Sequence, residues 1–279
     1  MKKLLAIVLV LVLVLSLTSC APKTYTLTEK LVANDIKGVE EVEYVFAVSK
    51  KCANGDKYLE QINKVIKERD VDNIIKRYTD GTRNRDYYLG DLNVLPNSGL
   101  PENPDLPKIS VYTSVYTPFQ FSGAYGSSVD GVDMYLMVAM AESLGMNADF
   151  HDAKYADAYQ AVKNGEGEIL ASAVVLTEQV KADFKVSDVY AKGKIQILCD
   201  EGYNFKSFKE LKGFKVGVIA GRYSADLAKE ALNGKAEIVE FYTDAEAKAA
   251  ITNQNVDAVI MDELPAGIIT GKYLLNAPR

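Results

Sequence analysis

The chain has 279 residues, with 32 Lys and Arg against 38 Asp and Glu, a formal net charge of −6 at pH 7, one histidine and three cysteines. That balance argues against a nucleic-acid surface or an anionic-membrane patch, both of which select for clustered Lys and Arg. His151 stands alone and there is no Cys or His cluster, so no metal site and no cofactor are expected.

At the start, Lys2 and Lys3 precede an unbroken apolar run from Leu4 to Leu15. The run is shorter than the ~20 apolar residues that a membrane-spanning helix needs, which reads as a signal peptide over residues 1–19. It ends at Leu17-Thr18-Ser19-Cys20, which resembles a bacterial lipobox. The resemblance implies cleavage before Cys20, a diacylglyceryl group on its sulfur, and a protein tethered to a membrane without spanning it. The other reading is an ordinary secretory peptide with a coincidental cysteine. Cys52 and Cys199 then remain, one pair at most, so stability must come from a core and not from a disulfide framework.

Further along, Glu43–Val48 alternates as a strand, and Lys57–Glu68 carries Tyr58, Leu59, Ile62, Val65 and Ile66 at helical spacing. Thr79–Pro107, rich in proline and glycine with scattered Asn and Asp, has no sustained periodicity and reads as a linker. From Lys108 onward short apolar strands alternate with amphipathic helices, the signature of an α/β layer structure. Strands are expected at Ile109–Thr113, Ala148–His151, Ile169–Ala173, Lys194–Cys199, Lys215–Ala220, Ala236–Tyr242 and Ala258–Asp262. Start and stop signals place helices at Val132–Leu144, Ala156–Asn164, Ser224–Leu232 and Asp244–Asn253, with Asp244 as a cap.

Four stretches carry a family resemblance. Val115-Tyr116-Thr117-Pro118-Phe119 leads to Gly131-Val132-Asp133. Leu176-Thr177-Glu178 and Ser187-Asp188-Val189-Tyr190 follow at a ten-residue spacing. Phe208-Lys209-Glu210-Leu211-Lys212-Gly213 precedes Val216-Gly217-Val218 and Gly221, and Val256-Asp257-Ala258-Val259-Ile260-Met261-Asp262 closes the series. In this order they resemble the type II periplasmic-binding-protein family, in its polar amino-acid branch of extracellular solute-binding proteins. The resemblance implies a two-lobed α/β fold, each lobe a mixed, mostly parallel sheet flanked by helices, with two hinge strands between them.

The pieces that should follow the last second-lobe helix stand at the front instead. Glu43–Lys50 resembles the family's returning hinge strand, and Tyr58–Lys67 with Ile74–Tyr78 its closing helices. The expectation is a circular permutation: residues 20–41 as anchor, tether and part of lobe 2, 42–78 as hinge strand and closing helices of lobe 1, 79–107 as permutation linker, 108–199 as lobe 1 and 200–279 as lobe 2. Surface loops accept new chain ends where few buried contacts cross them. The alternative is a fusion junction or a swapped dimer in which Tyr25–Tyr78 completes a neighbour.

For the ligand site, the resemblance points to Tyr116 and Tyr155 as an aromatic pair that sandwiches a solute, and to Ser172, Ala173 and Val175 as the loop that presents hydroxyls and amides. Both tyrosines also read as ordinary half-buried residues in a chain with seventeen. Val180 stands where the family has a carboxylate-clamping arginine, and Val175 where it has a hydroxyl. Valine can form neither of an arginine fork's charge-assisted hydrogen bonds, which puts an unmodified α-amino acid in doubt as ligand. Across the cleft, Gly221-Arg222-Tyr223-Ser224 leads a strand into a helix. Arg222 is a candidate replacement for the missing charge or a solvated turn residue, and Ser224 a candidate cap. Asp262 matches the carboxylate that pairs with a ligand's ammonium group, or else caps the helix over Pro265 and Ala266.

These features lead to the expectation of a monomeric, lipid-anchored substrate-binding protein of an ABC importer. It would capture a small polar or amine-bearing solute outside the bacterial cell membrane and pass it to a permease, with no enzymatic role. The alternatives are an exported cyclohexadienyl-dehydratase-like enzyme, which would need an acid or base in the cleft, and a ligand-sensing module of a membrane receptor.

Overall fold

The computed structural model describes residues 26–81, 105–122 and 129–275. The signal segment, Cys20 and most of the proline-rich linker lie outside the described residues. In chain order, β1 (Leu31–Asp35) and β2 (Val42–Ser49) lead into α1 (Gly55–Glu68) and α2 (Val71–Thr79). Then come β3 (Lys108–Thr113), a small hairpin of β4 (Phe121–Ser122) and β5 (Val129–Asp130), α3 (Val132–Ser143), β6 (Asn147–Asp152), α4 (Tyr155–Asn164) and β7 (Ile169–Val175). After α5 (Glu178–Asp183), β8 (Phe184–Val186) and β9 (Ala191–Gly193), the chain enters β10 (Ile195–Asp200). It ends through β11 (Lys215–Ile219), α6 (Tyr223–Leu232), β12 (Glu237–Phe241), α7 (Asp244–Thr252), β13 (Ala258–Asp262) and α8 (Glu263–Thr270).

The strands form two main sheets, one per lobe. The first has the order β6-β3-β7-β2-β8, with β9 also pairing β2, and the second β1-β10-β13-β11-β12. In the first, β3 is parallel to β6 and β7, whereas β2 runs antiparallel to β7, β8 and β9. In the second, β11 is parallel to β12 and β13, and β10 runs antiparallel to β13 and β1. The chain passes between sheets at residues 36–41 and again at Lys194. Of the eight residues of β2 only Glu43 is not buried, the near-continuous apolar composition expected of a strand covered on both faces.

The helices that cover the first sheet show why the sequence folds there. Tyr58, Ile62 and Val65 form one buried stripe on α1, the i, i+4, i+7 pattern of a helix with a single apolar face. The chain turns into α2 at Asp70, whose side chain accepts a hydrogen bond from Asn73 N–H. By contrast, Val132, Met134, Tyr135, Leu136, Met137, Met140 and Ala141 are all buried on α3, so that helix is wrapped by the protein on most sides. Its entry demands Gly131: φ is +135°, and a Cβ there would lie 2.3 Å from the Phe119 carbonyl oxygen.

Two caps differ from the sequence expectation. Asp244 does not cap α7; Thr243 does, in a reciprocal capping box with Glu246. Ser224 does not cap α6 either, because the left-handed turn at Gly221, φ +79°, brings the helix to start at Tyr223 with Arg222 in the N-cap position. Cys52 in the first lobe and Cys199 on β10 are free thiols. Among the described residues no helix is long and apolar enough to cross a membrane, and no cluster of three or more His, Cys, Asp or Glu could hold a metal ion.

Candidate functional site

The cleft between the lobes is built at strand ends. β7 contributes an irregularity: between the pairs Val45 with Val174 and Ala47 with Leu170, one residue separates the partners on β2 and three on β7. Ala173 lies inside that bulge at φ +47°, a left-handed conformation that costs a non-glycine residue roughly 1–2 kcal/mol. The twist turns Ala173 N–H onto Asp133 Oδ2 at 2.7 Å and leaves the neighbouring Ser172 to meet the second lobe. Bulges of this kind re-aim side chains next to functional sites.

At the base of the cleft, Asp262 ends β13 only 3% exposed. It stands in the N-cap position of α8, yet its carboxylate makes no capping bond. It accepts instead from Tyr44 Oη at 2.6 Å and, by a very short contact, from Tyr116 Oη, while its own N–H donates to Tyr116 Oη at 3.0 Å. Burial pushes the Asp262 carboxyl above its ordinary range, opposed by the two phenols and by Arg222. Burial and the adjacent carboxylate raise both phenols well above theirs.

Arg222 crosses from the second lobe into the first and is 3% exposed. Its guanidinium carbon lies 3.6 Å from the ring centroid of Tyr116 and 4.6 Å from that of Tyr155. Nη1 donates to the Ser172 carbonyl at 2.8 Å and Nη2 to Ser172 Oγ at 3.2 Å; that hydroxyl in turn donates to the Ser114 carbonyl at 3.0 Å. The lobes also meet where Thr117 N–H reaches Asp244 Oδ2 at 3.4 Å and where Lys154 Nζ sits 3.7 Å over the Tyr242 ring. A Cβ on Gly221 would lie 3.1 Å from that of Ala156, so the loop that carries Arg222 fits closely against the start of α4.

Tyr116, Tyr155, Ser172, Arg222 and Asp262 therefore meet, and Ala173 stands beside them through its bond to Asp133. Val175, Val180 and Tyr223 line a cavity of about 390 Å³ at the mouth, with Tyr155, Thr177 and Asp226. Val180 is buried and its N–H is taken by Thr177 Oγ1 at 3.1 Å. Ser224 is 1% exposed, and its hydroxyl has no hydrogen-bond partner.

Sequence reasoning missed Tyr44 and Asp133 as parts of the site. Asp133 has both oxygens engaged, by Ala173 N–H and by Tyr190 Oη at 2.7 Å, and burial lifts its carboxyl to about 7. For Asp133 the usable signal was the Gly131-Val132-Asp133 helix start; Tyr44 carried none, because only the fold brings its strand to Asp262.

Two sheets joined by two crossings, with a cleft lined from both, define the two-lobed type II binding-protein fold. Residues 109–210 match the family model of the bacterial extracellular solute-binding proteins, family 3. A probable histidine-binding protein of Neisseria gonorrhoeae is 27% identical over 166 residues, 58% of this chain and 60% of that protein. The chain thus spans less than two thirds of the length of that curated relative. An ancestral arginine-binding protein bound to arginine superimposes with a TM-score of 0.56 at 27% identity, over 59% of this chain and 74% of that one. An ancestral amino acid-binding protein described as a precursor of cyclohexadienyl dehydratase gives 0.55 at 29%, over 60% and 76%.

Proposed function

We propose that this chain is the solute-receiving component of an ABC importer, tethered outside the cytoplasmic membrane by a lipid on Cys20 and passing a small polar, amine-bearing solute to a permease. The observation that carries the reading is Asp262, a buried carboxylate at the cleft base whose hydrogen-bond donors among the described residues are two phenols and its own backbone, beside an aromatic pair from the opposite lobe. Buried carboxylates need compensating donors, and a solute's ammonium group supplies them. The amino-acid-binding relatives support the same reading. A receptor suits the site better than an enzyme: Asp133, a cleft carboxyl lifted to about 7, is fully buried with both oxygens already bonded.

The order of the parts supports a circular permutation. β2, near the front of the chain, pairs in the first sheet with β7, β8 and β9, and β1 edges the second sheet against β10. On this reading the lipid tethers the second lobe and the protein is a monomer that binds no nucleic acid.

Thermal denaturation of the mature protein against a panel of amino acids, polyamines and small guanidines tests the function. A solute at about 100 times its Kd stabilises by about 2.7 kcal/mol, a rise of roughly 5–10 °C for a protein of this size. Asp262→Ala is expected to remain folded and lose that rise. No response of the wild-type protein to any member of the panel refutes the reading.

A further inference from the structure

The cage formed by Tyr116, Tyr155 and Ser172 belongs to the first lobe, and what fills it belongs to the second. Its contacts are two ring faces, a carbonyl oxygen and a hydroxyl. Ring faces are the negative part of the aromatic quadrupole and attract cations. The hydroxyl is already donating to the Ser114 carbonyl, so toward the cage it presents only lone pairs. Every surface of the cage therefore asks for a flat, donor-rich cation and repels a carboxylate. The Arg222 side chain meets that demand with its guanidinium carbon 3.6 Å over the Tyr116 ring and two N–H groups on Ser172, but incompletely, since its buried Nε has no hydrogen-bond partner.

We propose, building on the solute-binding reading, that Arg222 is a resident guest: the first-lobe cage is a guanidinium site, and the closed chain fills it with its own arginine until a planar cationic solute displaces it. Charge supports displacement over co-binding. Arg222 already places one guanidinium charge in the cage, 3.6 Å over the Tyr116 ring and 4.6 Å over that of Tyr155, and the cage has one place between its rings, so a second guanidinium, repelled by the first, enters only as the first leaves. The route out is short, because Arg222 sits directly after the left-handed Gly221 and before the first helical residue of α6. A covalently attached guest acts at an effective concentration of about millimolar, and a site occupied most of the time by such a guest binds a free competitor more weakly by the fraction of time it stands empty.

The test uses methylguanidinium as probe on the full mature chain, with ethylammonium and acetate as controls, by titration calorimetry. Arg222→Ala is expected to bind methylguanidinium at least about tenfold more tightly than the wild type does, the gain expected when an internal competitor near millimolar is removed. Ethylammonium should bind less well and acetate not at all. Arg222→Met keeps the apolar stem and removes the donors; it is expected to show the same gain if the alanine variant folds poorly. Adding Tyr116→Ala to either variant should abolish the gain. Equal affinity of wild type and both variants for methylguanidinium overturns the proposal, and so does preferential binding of acetate. If wild type responds to amino acids while removal of Arg222 changes nothing, the importer reading stands and the resident guest does not. If methylguanidinium fills the emptied cage while no amino acid or amine binds wild type, the reverse holds.

Discussion

Removing the Tyr44 hydroxyl tests whether Asp262 is held as an ionised, buried acceptor. Tyr44 is 2% exposed and donates to Asp262 Oδ1 at 2.6 Å. Tyr44→Phe deletes that donor and little volume, since the ring keeps its contact with Phe119 at a centroid distance of 5.2 Å. A hydrogen bond to a charged group contributes about 1.5–3 kcal/mol net, and an orphaned charged acceptor costs at the upper end of that range. The expected loss is therefore about 2 kcal/mol, a drop of roughly 4–8 °C in Tm for a protein of this size. The assay is calorimetric unfolding of the unliganded protein at pH 8, run as a cycle with Asp262→Asn, because only the cycle separates the pair from each residue's own packing. With Asp262→Asn in place, Tyr44→Phe should cost less than about half as much, since a neutral amide is cheaper to leave short of a donor. The same loss in both backgrounds would mean that Tyr44 acts through packing alone and that Asp262 is satisfied by Tyr116, which refutes the reasoning.

Asp133 titrates at about 7 in the folded protein against an ordinary carboxyl value of 3.8. Between those values the folded state keeps a proton that the unfolded state has lost, so this group's contribution to stability is full below about pH 4 and falls by roughly 4 kcal/mol as pH rises to 7. Unfolding measured from pH 4 to 8 should show the decline, and Asp133→Asn should flatten it even if it lowers stability overall; an unchanged slope refutes the assignment. Cys20→Ala is expected to release the protein from the membrane fraction into the soluble one, measured by fractionation, whereas retention on the membrane excludes lipid anchoring through Cys20. Cleavage within Asn97–Asp105 should leave two associated fragments that sediment as one compact, ligand-competent monomer, because the proline-rich sequence there has no apolar periodicity with which to build core; an obligate dimer would replace permutation with a segment swap.

Where sequence signals are periodic, they located the elements well. β3, β7, β11 and β13 follow from short apolar runs, and α1 from one stripe of five apolar residues. Short elements left no such trace. α5 is six residues long, too few for a helical period to repeat, and β8 and β9 have three residues each. The caps failed for a different reason: residue type marks a cap, but backbone geometry chooses it. Thr243-Asp244-Ala245-Glu246 contains the reciprocal capping pattern one residue earlier than the aspartate that drew attention, and the turn at Gly221 starts α6 one residue before Ser224. In the site, Tyr116, Tyr155 and Asp262 were legible through the family resemblance, and Arg222 as a charged residue in the strand-to-helix turn after Gly221. Tyr44 was not, since a tyrosine within a hinge strand has the same signature as one in the core, and only the pairing of distant strands brings it to Asp262.

The substitution at Val180 and the position of Arg222 have a joint consequence for how the cleft works. Both ionic groups at its centre, Arg222 and Asp262, ride on the second lobe, while the phenol of Tyr116, the ring of Tyr155 and Ser172 ride on the first. If the lobes part as the importer reading requires, the first lobe is left with an uncharged cage and the second with a guanidinium and a carboxylate that regain water. Closure must therefore desolvate both ions, a cost that charge-assisted hydrogen bonds and ring contacts offset only in part. An arginine on the first lobe at Val180 would instead have put opposite charges on opposite lobes and pulled them together across the cleft. With valine there, closure rests on the cage, on the phenol bonds to Asp262 and on the contacts of Thr117 with Asp244 and Lys154 with Tyr242. Burial raises the Asp262 carboxyl above its ordinary range even though the two phenols and Arg222 oppose it, the mark of the same desolvation cost at the carboxylate.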